Sequence, residues 1–149
     1  MKPKAVVLGA NYYIGLSVAR CLGKEGITVA LVDYKREDSY AFDSKYCSEI
    51  LIAPHYKTEE RKFCDFLIEY ARKQKHKPVL FACADPYVEF IDRHFAELKE
   101  VYLFNQETEH LNVDAMDKAK LSAMAIRHGV KIPLSISIED NDLLKKVQE

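Results

Sequence analysis

The chain has 149 residues, of which 48% are hydrophobic and 30% are charged, and its formal net charge is -1. This balance is typical of a globular protein with a core and argues against a disordered chain. A nearly neutral chain has no strongly basic face, so nucleic acid is not predicted as a partner.

The cysteines and the amino terminus indicate whether the protein binds a metal and in which cellular compartment it lies. The four cysteines, at positions 21, 47, 64 and 83, form no Cys-x-x-Cys pair, so no metal site is predicted. The amino terminus lacks the long apolar core of a signal peptide, and no apolar run has the length needed to cross a bilayer. We therefore expect a cytoplasmic protein with reduced thiols and no membrane partner.

Residues 1–108 alternate between apolar runs and amphipathic segments. A helix is predicted at residues 14–25, a second from Thr58, which can cap it, and a third from Asp85, which can cap a helix whose apolar stripe reaches Leu98. The apolar runs predict strands at residues 5–8, 27–32, 49–53, 78–82 and 101–104. This alternation predicts an α/β domain, an open and mostly parallel sheet with helices on both faces.

The pattern changes after the fifth predicted strand. A polar stretch leads to a helix that Asp114 can cap and that Gly129 can end after His128. A strand at residues 133–138 and a helix at 140–149 are predicted to follow. We expect two domains, residues 1–108 and 109–149, with the second holding a helix, a strand and a helix.

The loop after the first strand is the first candidate site. Its glycines, Gly9 and Gly15, depart from the G-x-G-x-x-G dinucleotide fingerprint, because Asn11 replaces the second glycine and the last glycine falls one residue late. Gly15 and Ala19 are explained more simply as small residues that let the helix approach the first strand. Asn11 stays available for a ligand contact, and Asp33 could bind a ribose or occupy a turn.

Two further polar residues are candidates. Asp85 lies at the carboxyl end of the fourth strand, the edge where such sheets bind ligands. Lys118 lies one turn into its predicted helix, where a cation is unfavourable unless an anion such as phosphate compensates. No histidine has a partner at catalytic spacing, so no catalytic residue is assigned.

Several segments together resemble a known family. They are residues 7–9 with 15–20, residues 26–29, residues 78–81 with 85–91, Asp117-Lys118, and residues 129–133. In order and spacing they resemble the amino-terminal, pre-ATP-grasp domain of ATP-grasp carboxylate-amine ligases, in the branch that includes D-aspartate ligases and carbamoyl-phosphate-synthase-like proteins. The resemblance implies a Rossmann-like domain followed by the start of an ATP-grasp fold.

The resemblance also implies an activity. Such enzymes use ATP and Mg²⁺ to convert a carboxylate to an acyl phosphate, which an amine then attacks. By resemblance Lys118 contacts the ATP phosphates, while Gly9, Asn11 and Asp85 face an amino-acid, peptide or other small-molecule substrate. The family's second lysine, glycine-rich loop and magnesium ligands match nothing in residues 1–149, so this chain alone is expected to be inactive and to bind no cofactor tightly.

Two alternatives stay open. One is a non-catalytic nucleotide-binding or regulatory module of Rossmann type, based on Gly9, Gly15 and Asp33. The other is a scaffold or interaction domain, which could form a homodimer.

Overall fold

The computed structural model describes residues 4–133, which contain a four-stranded sheet and six α-helices. The strands are β1 (Ala5–Leu8), β2 (Val29–Asp33), β3 (Glu49–Ile52) and β4 (Val79–Ala82). The helices are α1 (Tyr13–Lys24), α2 (Glu60–Arg72), α3 (Asp85–Arg93), α4 (Phe95–Val101), α5 (Leu111–Met116) and α6 (Lys118–Arg127). The chain divides into two compact units between Val113 and Asp114. The predicted final helix and all but the first residue of the predicted strand before it lie outside the described residues.

The sheet has the strand order β3-β2-β1-β4, and every neighbouring pair is parallel. Ala5 in the central strand β1 pairs with Val29 on one side and Val79 on the other. Parallel strands require crossover connections. Helix α1 supplies the one between the neighbours β1 and β2, and α2 leads from the edge strand β3 to β4 at the opposite edge. The predicted α/β class with a parallel sheet is confirmed, and the arrangement is Rossmann-like.

Each face of the sheet has its own hydrophobic core. One core joins alternate residues of β1, β2 and β4 to α2, α3 and α4, and it contains the buried Cys64. The other joins the opposite faces of β1 and β2 to α1 and a short 3₁₀-helix, Tyr40–Asp43, and it contains the buried Cys83. β1 and β2 are buried at every residue, as their continuous apolar runs predict.

The predicted fifth strand at residues 101–104 is wrong, because this segment makes only a single bridge between Leu103 and Val79. Leu80 N donates to Leu103 O at 2.7 Å, and Leu103 N donates to Pro78 O at 2.9 Å. The preceding helix α4 extends to Val101 and so takes the first residue of the predicted strand. Tyr102 is turned into the core, where its hydroxyl donates to Leu67 O at 2.8 Å. With Val101 taken by α4, the extended segment that follows is too short for a strand.

Two predicted helices are interrupted in the structure. The helix predicted from Asp85 through Leu98 breaks at His94, which has φ -110° and ψ 22° and separates α3 from α4. The helix predicted from Asp114 breaks at Asp117, whose Oδ1 accepts from the backbone N–H groups of residues 119 and 120 at 2.8 and 3.0 Å. Asp117, not Asp114, therefore caps α6.

The other predicted helix ends are partly correct. Gly26 and Gly129 have positive φ, +69° and +71°, just beyond α1 and α6, as predicted for left-handed helix ends. Thr58 does not cap α2, because the helix begins at Glu60 and Glu59 occupies the cap position.

Glu49, on the edge strand β3, should make the free energy of unfolding depend on pH in the acidic range. Its Oε2 accepts from Lys4 Nζ and from the Tyr70 hydroxyl, both at 2.7 Å. Burial alone would raise the pKa of Glu49, but the hydrogen bonds from Lys4 and Tyr70 outweigh it and hold the pKa below its ordinary value of 4.5. A lowered folded-state pKa stabilises the fold above the unfolded-state pKa, and this contribution is lost as pH falls through the folded-state value.

We therefore expect Glu49→Gln to reduce the free energy of unfolding at neutral pH by more than it does below about pH 4.5. Urea denaturation of both proteins across this range measures the difference. The exposed Glu37, changed to glutamine, serves as control and should show no such pH dependence. An equal effect of Glu49→Gln at both ends of the range would contradict the assignment.

Candidate functional site

The candidate site lies at the carboxyl ends of the parallel strands, where the loops after β1, β2 and β4 meet. Gly9, just after β1, has φ +93°, and a Cβ placed there would be 2.9 Å from the ring of Tyr12 and 3.0 Å from the ring of Tyr87. Glycine therefore allows both the left-handed backbone and the close approach of two aromatic rings. The predicted site residue Gly9 thus lies at the base of an aromatic cluster.

Asp33, at the end of β2, holds the loop after β1 in place. The residue is 2% exposed, its Oδ2 accepts from Asn11 N at 2.7 Å, and its Oδ1 accepts from Tyr34 N at 2.8 Å. Both carboxylate oxygens are thus engaged by backbone donors. This arrangement supports the turn role of Asp33, and the burial of the carboxylate leaves a ribose hydroxyl little access to it.

The backbone donors of the same loop are also used. The N–H groups of Gly9 and Ala10 both donate to Val32 O, at 3.1 and 3.3 Å, and Tyr12 N donates to Gly9 O at 3.1 Å. Together with Asn11 N, which donates to Asp33, these bonds engage the loop from residue 9 to residue 12. The loop therefore does not offer the row of free N–H groups with which dinucleotide-binding loops hold a pyrophosphate.

Asn11 is the polar side chain with unused capacity in this loop. Its Oδ1 is buried and has no hydrogen-bond partner among the described residues. A buried carbonyl oxygen without a donor costs about 1–3 kcal/mol, so a ligand N–H or O–H group at this position would be favoured. Asn11 therefore keeps an acceptor available, and its role as a ligand contact stays a prediction.

Aromatic side chains from three loops and the first turn of α3 surround this edge of the sheet, and the sequence alone did not single them out. Tyr34 and His55 have ring centres 4.3 Å apart, His55 stacks on Tyr56 at 5.0 Å, and Tyr56 contacts Tyr87 at 4.7 Å. Tyr12 completes the cluster, 6.4 Å from Tyr87. Burial raises the pKa of Tyr56 and Tyr87, so both keep their hydroxyl protons near neutral pH.

His55 is positioned by its own turn. Its Nδ1 accepts from the backbone N–H groups of Lys57 and Thr58 at 3.1 and 3.2 Å. When the ring is neutral its proton is therefore on Nε2, which is the nitrogen available to a ligand. This turn, rather than a Thr58 cap, leads the chain into α2.

Asp85 lies at the same edge of the sheet but does not cap α3. The cap position is Ala84, Asp85 is the first helical residue, and Pro86 is the second. The extended backbone of Ala84 shifts the helix start by one residue. Asp85 is exposed, and its carboxylate still lies in the first turn of α3, where the positive end of the helix dipole stabilises a negative charge. Its side chain is therefore open to solvent, and its role as a substrate contact stays a prediction.

Lys118 belongs to the second compact unit, which begins at Asp114. It is the first residue of α6 instead of lying one turn inside the helix, because the helix starts later than predicted. Within the described residues Lys118 forms no ion pair, whereas Lys120 contacts Asp114 at 2.6 Å. The exposed ammonium of Lys118 is thus available to an anion.

A separate cavity of about 270 Å³ lies beside β4 and contains none of the predicted site residues. Its lining combines apolar side chains with three amides: Leu80, Phe81, Ala82, Val88, Ile91, Phe104, Asn105, Gln106 and Asn112. The buried Asp92 supports this wall, because its carboxylate accepts from Gln106 Nε2 at 2.7 Å.

Comparison with known proteins identifies no family for this chain. No protein-family model matches it, and no curated protein matches it. Within residues 4–133, no helix combines the length and the apolar character that crossing a membrane requires.

Proposed function

We propose that this chain is the amino-terminal, substrate-side domain of an ATP-dependent carboxylate-amine ligase. In this reaction a carboxylate oxygen attacks the terminal phosphorus of ATP, which releases ADP and gives an acyl phosphate. An amine then attacks the acyl carbon, forms the amide and releases phosphate. The observation that carries the proposal is α6, which starts at Lys118 in a compact unit of its own after a Rossmann-like sheet.

The edge of the sheet would hold the amine-bearing substrate. Asn11 Oδ1 is a buried acceptor without a donor, and Asp85 provides an exposed carboxylate at the end of β4. Both groups suit a protonated amine, which donates hydrogen bonds, accepts none and carries positive charge. The rings of Tyr12, Tyr56 and Tyr87 would exclude water from the apolar part of an amino acid or peptide.

Lys118 would contact the ATP phosphates. Its ammonium has no carboxylate partner within the described part of the chain, so binding a phosphate would break no ion pair there. Mg²⁺ bound with ATP supplies charge neutralisation during phosphoryl transfer. The chain's own contribution to that step is to position the phosphates by one charge-assisted hydrogen bond.

The test follows the oxygen atoms of the carboxylate. The protein is isolated as its own organism makes it and is given ATP, Mg²⁺ and a mixture of amino acids whose carboxylates carry heavy oxygen. We expect one heavy oxygen atom in each phosphate released, because the acyl phosphate leaves one carboxylate oxygen on phosphorus. ATP hydrolysis without label transfer, or no ATP consumption with any carboxylate and amine, would overturn the proposal.

Replacing Lys118 gives a second expected result in the same protein. Lys118→Ala should weaken ATP binding about 10- to 100-fold, because a hydrogen bond to a charged group contributes about 1.5–3 kcal/mol. Lys131→Ala, at another exposed lysine of this segment, is the matched control and should leave the affinity unchanged. Calorimetric titration with a non-hydrolysable ATP analogue measures both, and equal affinities in the two variants would refute the role of Lys118.

A Rossmann-type nucleotide-binding module is the second candidate, and the strand order β3-β2-β1-β4 favours it. The engaged oxygens of Asp33 and the engaged N–H groups of the loop count against it. Titration with NAD separates the two proposals. Tight NAD binding that Asp33→Asn weakens would favour the second candidate.

A further inference from the structure

A cysteine, a histidine and a glutamate converge where α2 packs against the junction of α3 and α4. Cys64 lies on α2, His94 is the junction residue and Glu97 lies in the first turn of α4. One donor atom from each, a sulfur, a ring nitrogen and a carboxylate oxygen, lies within 4.8 Å of the others. The break at His94, which interrupts an otherwise continuous apolar stripe, forms part of this cluster.

The imidazole of His94 is held between two carboxylates. Its Nε2 lies 3.0 Å from Glu60 Oε1, and its Nδ1 lies 3.4 Å from Glu97 Oε1. In metal sites, a histidine that binds through one nitrogen almost always donates a hydrogen bond from the other to a carboxylate or carbonyl. Glu60 occupies that outer position and leaves Nδ1, which lies beside Glu97, as the nitrogen for the metal.

We propose that Cys64 Sγ, His94 Nδ1 and a carboxylate oxygen of Glu97 bind one divalent cation, and that Zn²⁺ is the ion this site fits best. Thiolate, imidazole and carboxylate are the three ligand types that zinc accepts, and zinc sites with three protein ligands keep a fourth position for water or a substrate. The proposal is independent of the ligase function.

A metal ion that binds to this cluster must displace the proton of Cys64 and share the carboxylate of Glu97 with Arg61. Burial, and to a smaller extent the nearby Glu97, raise the pKa of the Cys64 thiol to about 11. The thiol is therefore protonated before metal binds, and forming the sulfur-metal bond releases its proton to the solvent. Glu97 is also engaged, because Arg61 donates to its two oxygens at 2.8 and 2.9 Å. The cation must share this carboxylate with the guanidinium.

Cobalt provides a direct probe of the thiolate. Untagged, reduced full-length chain is titrated with Co²⁺, and thiolate-to-cobalt charge transfer is followed in the near ultraviolet. We expect saturation at one ion per chain, and Zn²⁺ should remove the signal by displacing Co²⁺. No such band with the folded wild-type protein would overturn the proposal.

Cys83→Ser is the matched control for Cys64→Ser, because both thiols are buried and burial raises the pKa of each to about 11. We expect the charge-transfer band to vanish in Cys64→Ser and to persist in Cys83→Ser. His94→Gln provides a second ligand variant, at a residue only partly buried, for the case in which Cys64→Ser fails to fold. A band of full strength in either ligand variant, once that variant is shown to be folded, would refute the site.

Substitutions at two neighbouring residues should change the affinity for Zn²⁺ in opposite directions. Glu60→Gln should weaken Zn²⁺ binding about 10-fold, the usual cost of losing an outer carboxylate. Arg61→Ala should strengthen it severalfold, because Glu97 would no longer be shared with a guanidinium. Competition with a chromophoric chelator measures both affinities. Weaker zinc binding in Arg61→Ala would show that Glu97 is not a ligand and would overturn the three-residue site.

Discussion

Gly15→Ala is expected to lower the free energy of unfolding by about 3 kcal/mol, at the upper end of the cost of overpacking. A Cβ at this position would lie 2.3 Å from the carbonyl oxygen of Gly9. The carbonyl oxygen belongs to the main chain and the Cβ is fixed by the backbone of α1, so relief requires α1 to move away from the loop after β1. The gain in helix propensity from glycine to alanine, up to about 1 kcal/mol, offsets only part of this cost.

Ser17→Ala in the same helix is the control for helix propensity, since Ser17 is exposed and, among residues 4–133, its hydroxyl donates only to Tyr13 O. Its effect on stability should be small. Urea denaturation of the three proteins measures the difference. If Gly15→Ala were as stable as wild type, the close approach of α1 to Gly9 would be wrong.

Asp33→Ala is expected to cost about 3 kcal/mol, because a buried donor left without an acceptor costs about 1–3 kcal/mol. The change removes the acceptor of Asn11 N and the acceptor of Tyr34 N together. Asp33→Asn should lie between wild type and Asp33→Ala, since its amide keeps one acceptor oxygen but turns an NH₂ group toward the other donor.

The exposed Asp38, changed to alanine, is the control for removing a carboxylate that is not buried. Hydrogen exchange at Asn11 N gives a second measurement on the same proteins. We expect this amide to be protected in wild type and to exchange much faster in Asp33→Ala. Unchanged protection would mean that Asp33 does not fix the loop.

The sheet was predictable because burial on both faces leaves a clear signal. β1 and β2 are runs of apolar residues, and the segment between them has the period of a helix. The small residues Gly15 and Ala19 were also interpretable, since both are buried where α1 meets the sheet. These features depend on local sequence alone.

The helix breaks were not predictable from periodicity. The apolar stripe from Val88 to Leu98 continues with helical spacing across His94, so the pattern contains no sign of the interruption. Asp114 and Asp117 are equally good cap residues, and the choice between them is made by the backbone conformation of Asp117. The fifth strand failed because α4 extends to Val101 and only Leu103 then forms a bridge to β4.

The candidate site was predictable only for those residues whose position is determined by the end of a strand. Gly9, Asn11 and Asp85 follow β1 and β4 directly, so a parallel sheet places their loops at one edge. Which aromatic rings gather there depends on loop conformations that have no period. The Cys64 cluster is likewise invisible in sequence, because about thirty residues separate its cysteine from its histidine.

The two cores of the sheet each contain one buried thiol, Cys64 on one face and Cys83 on the other. An alkylating reagent can reach either sulfur only when the layer of helices above it opens. The two modification rates therefore report on the two layers separately. Equal rates would mean that the domain unfolds as a single cooperative unit, whereas unequal rates would identify the layer that opens first.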